Sequence, residues 1–150
     1  MAGVPNEGSL RVPMGTFVYP LLGTRVSSSF GTRVHPVLRF TKHHNGIDLA
    51  APDGATIRAI GSGRVVYADP YGGYGNLIVV QHESGLTSHY GHCQSIKVQP
   101  GQVITAGHIL GTVGRTGRVT GPHLHFEIRM DGKAQDPEKF LPGLALAADG

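Results

Sequence analysis

The sequence is poor in cysteine and has no long apolar run. Its 150 residues include one cysteine, Cys93, so no disulfide can form within the chain. No stretch reaches the roughly 20 apolar residues of a membrane-spanning helix, and residues 1–10 lack the apolar stretch of a signal peptide. We therefore expect no transmembrane segment, no export signal within this sequence, and a fold that is held together by its hydrophobic core.

The sequence also lacks a cluster of basic residues. The formal net charge is +3 and the pI is near 9.2, but arginine and lysine are scattered along the chain. Nucleic-acid-binding proteins carry their basic residues as a patch or stripe, so we exclude a nucleic-acid partner. Scattered positive charge suits a loose attraction to an anionic polymer or surface.

Glycine and proline, by contrast, are abundant and define the fold class. The 23 glycines and 10 prolines divide the chain into short segments and leave no place for a long helix. We predict a mainly β fold, a small antiparallel β-sandwich or sheet with long loops that frame a groove. The expected organisation is a surface leader over residues 1–16, one domain over 17–142 and a tail over 143–150. We expect a monomer.

One short segment combines a strand pattern with metal-ligating side chains. After Pro122, which is suited to open a strand, Leu124 and Phe126 alternate with His123, His125 and Glu127. Histidines two apart on a strand have Cα atoms about 6.6 Å apart, so both can converge on one ion or water. Two histidines on a solvated sheet face remain the alternative at this point.

Two further segments supply candidate ligands. His44 and Asp48 are four residues apart, a distance of about 13 Å in an extended chain, so we expect a bend at Gly46 to bring them together. Strand alternation places Ser88, Tyr90 and His92 on one face, where His92 can join a site. The same alternation places His89, Gly91 and Cys93 on the other face, with Cys93 packed in the core.

These five candidates exceed what a catalytic zinc requires. Such a site takes three protein ligands and leaves a fourth position for water. Two candidates must therefore either support the ligands from outside or take part in catalysis. A neutral imidazole is suited to take a proton from the activated water. The chain has no His-Glu-x-x-His motif, which excludes the common helical zinc site with a glutamate base. Spacing alone does not say which three bind.

The motifs together resemble the lysostaphin-like, or LytM-type, zinc endopeptidases, which cut peptide bridges of bacterial cell walls. The resemblance runs from about Val26 to Pro137. Its motifs in chain order are Phe30-Gly31 with His35-Pro36, His44-Asn45-Gly46-Ile47-Asp48, Gly72-Gly73-Tyr74-Gly75-Asn76, Tyr90-Gly91-His92 and the segment from Thr120 to Glu127.

The resemblance implies a role for each candidate. It implies that His44, Asp48 and His125 bind Zn²⁺, and that His92 and His123 flank the activated water as base and oxyanion partners. It further implies a fold related to hybrid barrels, a peptidoglycan peptide substrate, and a place in the cell envelope, periplasmic or extracellular. Cys93 departs from the family pattern, in which an apolar residue such as leucine more often follows the catalytic histidine.

Two other functions fit parts of the sequence. A degenerate member of the same family would serve as a wall-binding or amidase-activating module, although such members usually lack ligands and all five positions are filled here. Residues 98–111 are similar to segments of lipoyl- or biotinyl-type carriers. A carrier needs a lysine at an exposed hairpin tip, and Lys97 precedes the segment, so this similarity concerns architecture.

Overall fold

The computed structural model describes residues 17–22, 25–34, 41–117, 119 and 121–141. The expected leader over 1–16, the expected tail over 143–150, and His35 lie outside the described residues. The strands are β1 (Arg25–Ser28), β2 (Gly31–Val34), β3 (Thr41–His44), β4 (Ile47–Ala50), β5 (Thr56–Arg58), β6 (Gly63–Pro70), β7 (Asn76–Gln81), β8 (Leu86–Ile96), β9 (Val103–Ile104), β10 (Ile109–Val113), β11 (His123–Met130) and β12 (Lys133–Gln135).

Helical structure in the described residues is confined to three single 3-10 turns. They span Gly72–Tyr74, Glu83–Gly85 and Pro137–Lys139. None of these described helices is long and apolar enough to cross a membrane. The abundance of glycine and proline thus has the effect that the sequence predicts, since it limits the chain to short strands and tight turns.

Ten strands form one antiparallel sheet. Its main order is β1-β4-β11-β8-β7-β6-β9, while β5 pairs with β10, β10 also pairs with β8, and β12 pairs with β11. β2 and β3 form a separate antiparallel hairpin. The predicted mainly β, antiparallel class is confirmed. Asp131 and Gly132 form the turn between β11 and β12, with φ angles of 50° and 84° that suit a tight hairpin.

The core packs against one face of this sheet. Along β11 the side chains of Leu124, Phe126 and Ile128 are fully buried. Tyr90 of β8 packs on Phe126 with ring centroids 5.5 Å apart. Since side chains alternate along a strand, the intervening residues of β11 and β8 face away from this core.

The chain bends between β3 and β4, as the sequence predicts. β3 ends at His44 and β4 begins at Ile47, with Asn45 and Gly46 between them. Gly46 is buried against β11, and a Cβ there would overlap the carbonyl oxygen of Phe126 and approach Cγ of Glu127. Glycine is therefore required for close approach, which brings the His44 end of β3 beside β11.

The strand β8 corrects the prediction about which residues share a face. Gly91 pairs with His125 and His89 pairs with Glu127, so His89 and Gly91 lie on the face of His125, whereas Tyr90 lies in the core. His92 has a φ of 65°, and two residues of β7 span three residues of β8 at this point. This bulge turns His92 out of the core face and places Cys93 in the core. His92 leaves the core face and Cys93 enters the core, as predicted, but the bulge and not regular alternation produces both positions.

Candidate metal centre

The centre is built on a cross-strand pair. Asp48 of β4 lies directly opposite His125 of β11 in the sheet register. Ile47 and Leu49 anchor β4 in the core on either side of Asp48, so its carboxylate points to the opposite face. The Nδ1 atom of His125 lies 2.8 Å from Oδ1 of Asp48.

His44 reaches the same carboxylate from the end of β3. Its Nε2 atom lies 3.5 Å from Oδ2 of Asp48, and its ring centroid is 5.2 Å from that of His125. The Nδ1 atom lies 2.9 Å from the carbonyl oxygen of Ser29. A carbonyl oxygen can only accept, so Nδ1 carries the proton and Nε2 of a neutral His44 presents a lone pair to the centre.

The donor set and its charges fit a divalent cation. One ligand atom from each of His44, Asp48 and His125 lies within 4.8 Å of the other two. Burial acts to raise the pKa of Asp48, but the interactions with His125 and His44 outweigh it and hold the pKa well below its usual range. Burial acts to lower the pKa of His125, but Asp48 and Glu127 outweigh it and raise the pKa to about 9. The surroundings of His125 therefore favour positive charge.

Two more histidines border the centre. The Nε2 atom of His123 lies 3.7 Å from Oδ1 of Asp48, and the rings of His92 and His123 have centroids 4.8 Å apart. His92 donates from Nδ1 to the carbonyl oxygen of Thr116 at 2.8 Å, which leaves its Nε2 as the acceptor when the ring is neutral. Burial lowers the pKa of His92 below its ordinary value, which favours the neutral ring.

All five predicted site residues therefore lie in one cluster. His44, Asp48 and His125 share a common point, and His92 and His123 lie side by side at its edge. The exposed fractions of the side chains of Asp48 and His123 are both 20%, so solvent and a substrate can reach the cluster.

The supports of the cluster are what sequence reasoning missed. The carbonyl oxygens of Ser29 and Thr116 fix the rings of His44 and His92. Where a backbone carbonyl points cannot be predicted from the sequence. Glu127 also contacts the cluster, since its Oε2 lies 2.6 Å from Nε2 of His125. Its place on the same strand face was visible from the alternation His123, His125, Glu127, but its contact with His125 was not predicted.

Comparison with known proteins agrees with this geometry. Residues 42–137 match the model of peptidase family M23. The chain belongs to this family. The M23 match contains all five clustered residues. The catalytic domain of lysostaphin from Staphylococcus simulans superposes with a TM-score of 0.70 at 31% identity, covering 79% of this chain and 92% of that one. The resemblance to lysostaphin-like enzymes is therefore confirmed.

Other M23-like proteins are similar over most of the chain. The DD-carboxypeptidase/endopeptidase Mpg of Neisseria meningitidis serogroup B is 41% identical over 133 residues, which are 88% of this chain and 31% of Mpg. The murein hydrolase activator EnvC of Escherichia coli is 36% identical over 91% of this chain and 31% of EnvC. A zinc-containing peptidase from Vibrio cholerae superposes with a TM-score of 0.76 at 36% identity, covering 82% of this chain and 39% of that one. The chain thus spans about a third of the curated relatives that it matches.

Proposed function

We propose that this M23 domain is a zinc-dependent endopeptidase that hydrolyses peptide bonds of bacterial peptidoglycan in the cell envelope, in the periplasm or outside the cell. The observation that carries the proposal is the convergence of His44, Asp48 and His125 within 4.8 Å. Two imidazoles and a carboxylate are the number and kind of ligands that catalytic zinc takes while it keeps an open position.

Zinc held by these residues would lower the pKa of a bound water to about 7 and polarise the carbonyl group of the substrate. Contacts within the protein fix the ligands in the forms that bind a metal ion. Ser29 fixes the tautomer of His44 so that Nε2 faces the centre. The carboxylate of Asp48 supplies negative charge that neutral histidines lack, and it is ionised throughout the physiological pH range.

We propose that His92 and His123 transfer protons and stabilise the negative charge of the oxyanion. Nε2 of His92 is available as a base because Nδ1 is occupied by the carbonyl oxygen of Thr116. His123 donates from its Nδ1 to the carbonyl oxygen of Gly121 at 3.2 Å, and its Nε2 faces the centre. With Nδ1 of both rings donating to carbonyl oxygens, each Nε2 is an acceptor while its ring is neutral, so either histidine can take a proton from the attacking water and then donate a hydrogen bond from the protonated ring to the oxyanion of the tetrahedral intermediate.

The bond proposed to be cut is one between D-configured residues. The similarity to Mpg, a DD-carboxypeptidase/endopeptidase, favours such a bond over a glycine bridge. The test is to incubate the chain and Zn²⁺ with purified walls of each cross-link type and identify released fragments by mass spectrometry. We expect fragments cut at the D,D bond, none with excess chelator, and none from the glycine-bridged wall; no release from either wall would contradict the proposal.

Activation of another hydrolase is the second candidate, favoured by the similarity to EnvC. The same assay separates the two. An activator would release nothing alone and would increase the release of fragments by an added amidase. An endopeptidase would act alone and only with metal. The complete set of five clustered side chains supports the endopeptidase.

A further inference from the structure

We infer that Glu127 is a positioning residue that fixes the ring of His125 for metal binding, and that Tyr74 and Arg129 in turn fix Glu127. This inference rests on the proposed function, because it assigns His125 to the metal. It concerns three residues that have no role in the proposal so far.

The first observation is that the carboxylate of Glu127 is completely buried. Its side chain has no exposed surface, although it lies on the sheet face opposite to the hydrophobic core. A buried charge is costly unless its oxygens are satisfied by hydrogen bonds.

The second observation is how the two carboxylate oxygens are divided. Arg129 donates to Oε1 from Nε at 2.8 Å and from Nη2 at 2.6 Å. Oε2 accepts from the hydroxyl of Tyr74 at 2.8 Å and from Nε2 of His125 at 2.6 Å. The ion pair with Arg129 accounts for one oxygen only. The other oxygen, Oε2, accepts its hydrogen bonds from His125 and from Tyr74, which holds the carboxylate in place.

The consequence for His125 is a fixed tautomer and a fixed ring. A carboxylate paired with arginine only accepts hydrogen bonds, so the proton of His125 that faces Glu127 stays on Nε2. Nδ1 is then the atom left for a metal, and it is the atom that faces Asp48. Metal-ligating histidines generally depend on such an outer partner, and its removal typically weakens metal binding by about 10- to 100-fold.

Tyr74 connects this support to the loop between β6 and β7. Tyr74 is the last residue of the 3-10 turn Gly72–Tyr74, and its ring centroid lies 5.5 Å from that of His125. Arg129 also donates to the Tyr74 hydroxyl at 3.2 Å, so the three residues form a closed set of hydrogen bonds. The role of the tyrosine in the motif Gly72-Gly73-Tyr74-Gly75-Asn76 is, on this account, to hold the carboxylate behind the ligand.

The test measures metal binding rather than activity alone. Zinc affinity of the full chain is determined by competition with a chromophoric chelator, and the site geometry by the visible absorption spectrum of the cobalt-substituted protein. We expect Glu127→Gln to weaken zinc binding about 10- to 100-fold and to change the cobalt spectrum. Tyr74→Phe, which removes the hydrogen bond to Glu127 and the one from Arg129, should weaken zinc binding by about 2- to 10-fold.

Two further variants keep the test decisive. Tyr67→Phe is the matched control, because it also removes one tyrosine hydroxyl, which donates to the carbonyl oxygen of Pro70 and not to Glu127; its zinc affinity should equal that of the wild type. If Glu127→Gln does not fold, the double variant Glu127→Gln/Arg129→Gln removes the buried carboxylate together with its partly exposed guanidinium partner and should show the same loss of zinc affinity.

The outcomes separate this inference from the proposed function. Wild-type zinc affinity and an unchanged cobalt spectrum in folded Glu127→Gln, with only a lower melting temperature, would overturn the positioning role and leave the endopeptidase proposal intact. A wild-type chain that binds no zinc would instead overturn the proposed function, and the positioning role with it.

Discussion

At the scale of single residues, the surroundings of each histidine decide what its ring can do. His125 lies between two carboxylates, which raise its pKa, whereas His92 bonds to a carbonyl oxygen in a buried position, and its pKa is lowered. His82 belongs to neither group. It is buried away from the cluster, donates from Nδ1 to the carbonyl oxygen of Ser62 at 2.7 Å and accepts from the hydroxyl of Ser88 at 2.8 Å.

Substitution of the two bordering histidines should separate catalysis from metal binding. We expect His92→Ala and His123→Ala to keep bound zinc and to lower the rate of wall cleavage by about 10²- to 10⁴-fold, the usual contribution of a general acid or base. His108→Ala is the control, since the His108 side chain lies in a turn with its Nε2 atom 3.5 Å from Nε2 of Gln102. Loss of zinc from either variant, measured by metal analysis, would make that histidine a ligand instead.

The burial of His82 should make stability depend on pH. Burial lowers the pKa of His82 below its ordinary value of 6.5, so the unfolded chain binds a proton more readily than the folded chain. Well above pH 6.5 His82 is neutral in both the folded and the unfolded chain and adds no pH dependence. As the pH falls below 6.5, the free energy of unfolding should decrease, by at most about 1.36 kcal/mol per pH unit from this group.

The measurement is urea unfolding of the metal-free chain across this range. Chelator removes the effect of proton competition with metal, and His82→Gln removes the titrating group while keeping hydrogen-bonding capacity. The variant should show a shallower loss of stability between pH 6.5 and the acid range than the wild type. Parallel curves for the two proteins would show that His82 is free to take up a proton when folded.

At the scale of elements, β8 shows where a sequence pattern fails and why. Period-two alternation correctly predicts the two faces of β11, because that strand is regular from His123 to Met130. It fails in β8, where the bulge at His92 reverses the faces. The bulge depends on the pairing of β8 with β7 and β10 on its two sides, which are partners distant in the chain, so the residues near His92 do not reveal it.

The bulge makes Cys93 a test of this element. Without the bulge, Cys93 would share the face of Gly91 and His125; with it, Cys93 is buried, its Sγ lies 3.4 Å from the carbonyl oxygen of Tyr90, and burial raises the pKa of its thiol to about 12. We expect the thiol of the native chain to resist iodoacetamide at pH 8 and to react when urea unfolds the chain, as followed by mass spectrometry. Complete modification under native conditions would contradict the bulged arrangement.

At the scale of the whole molecule, the sheet brings distant segments to one point. His44 and Asp48 come from β3 and β4, His92 from the bulge in β8, and His123 and His125 from β11, which lies between β4 and β8. The side-chain types, their spacing and their order along the chain were enough to predict the mainly β fold and the five clustered residues. The sheet order and the closed set around Glu127 could not be predicted, since both depend on which strands become neighbours.

The most direct test of the whole account is the metal content of the purified chain after incubation with zinc and removal of excess by dialysis. We predict close to one zinc per wild-type chain and far less in Asp48→Ala and His125→Ala, with both variants still folded by circular dichroism. No zinc on the wild type, or equal zinc on all three proteins, would contradict the assignment of His44, Asp48 and His125 as one metal centre.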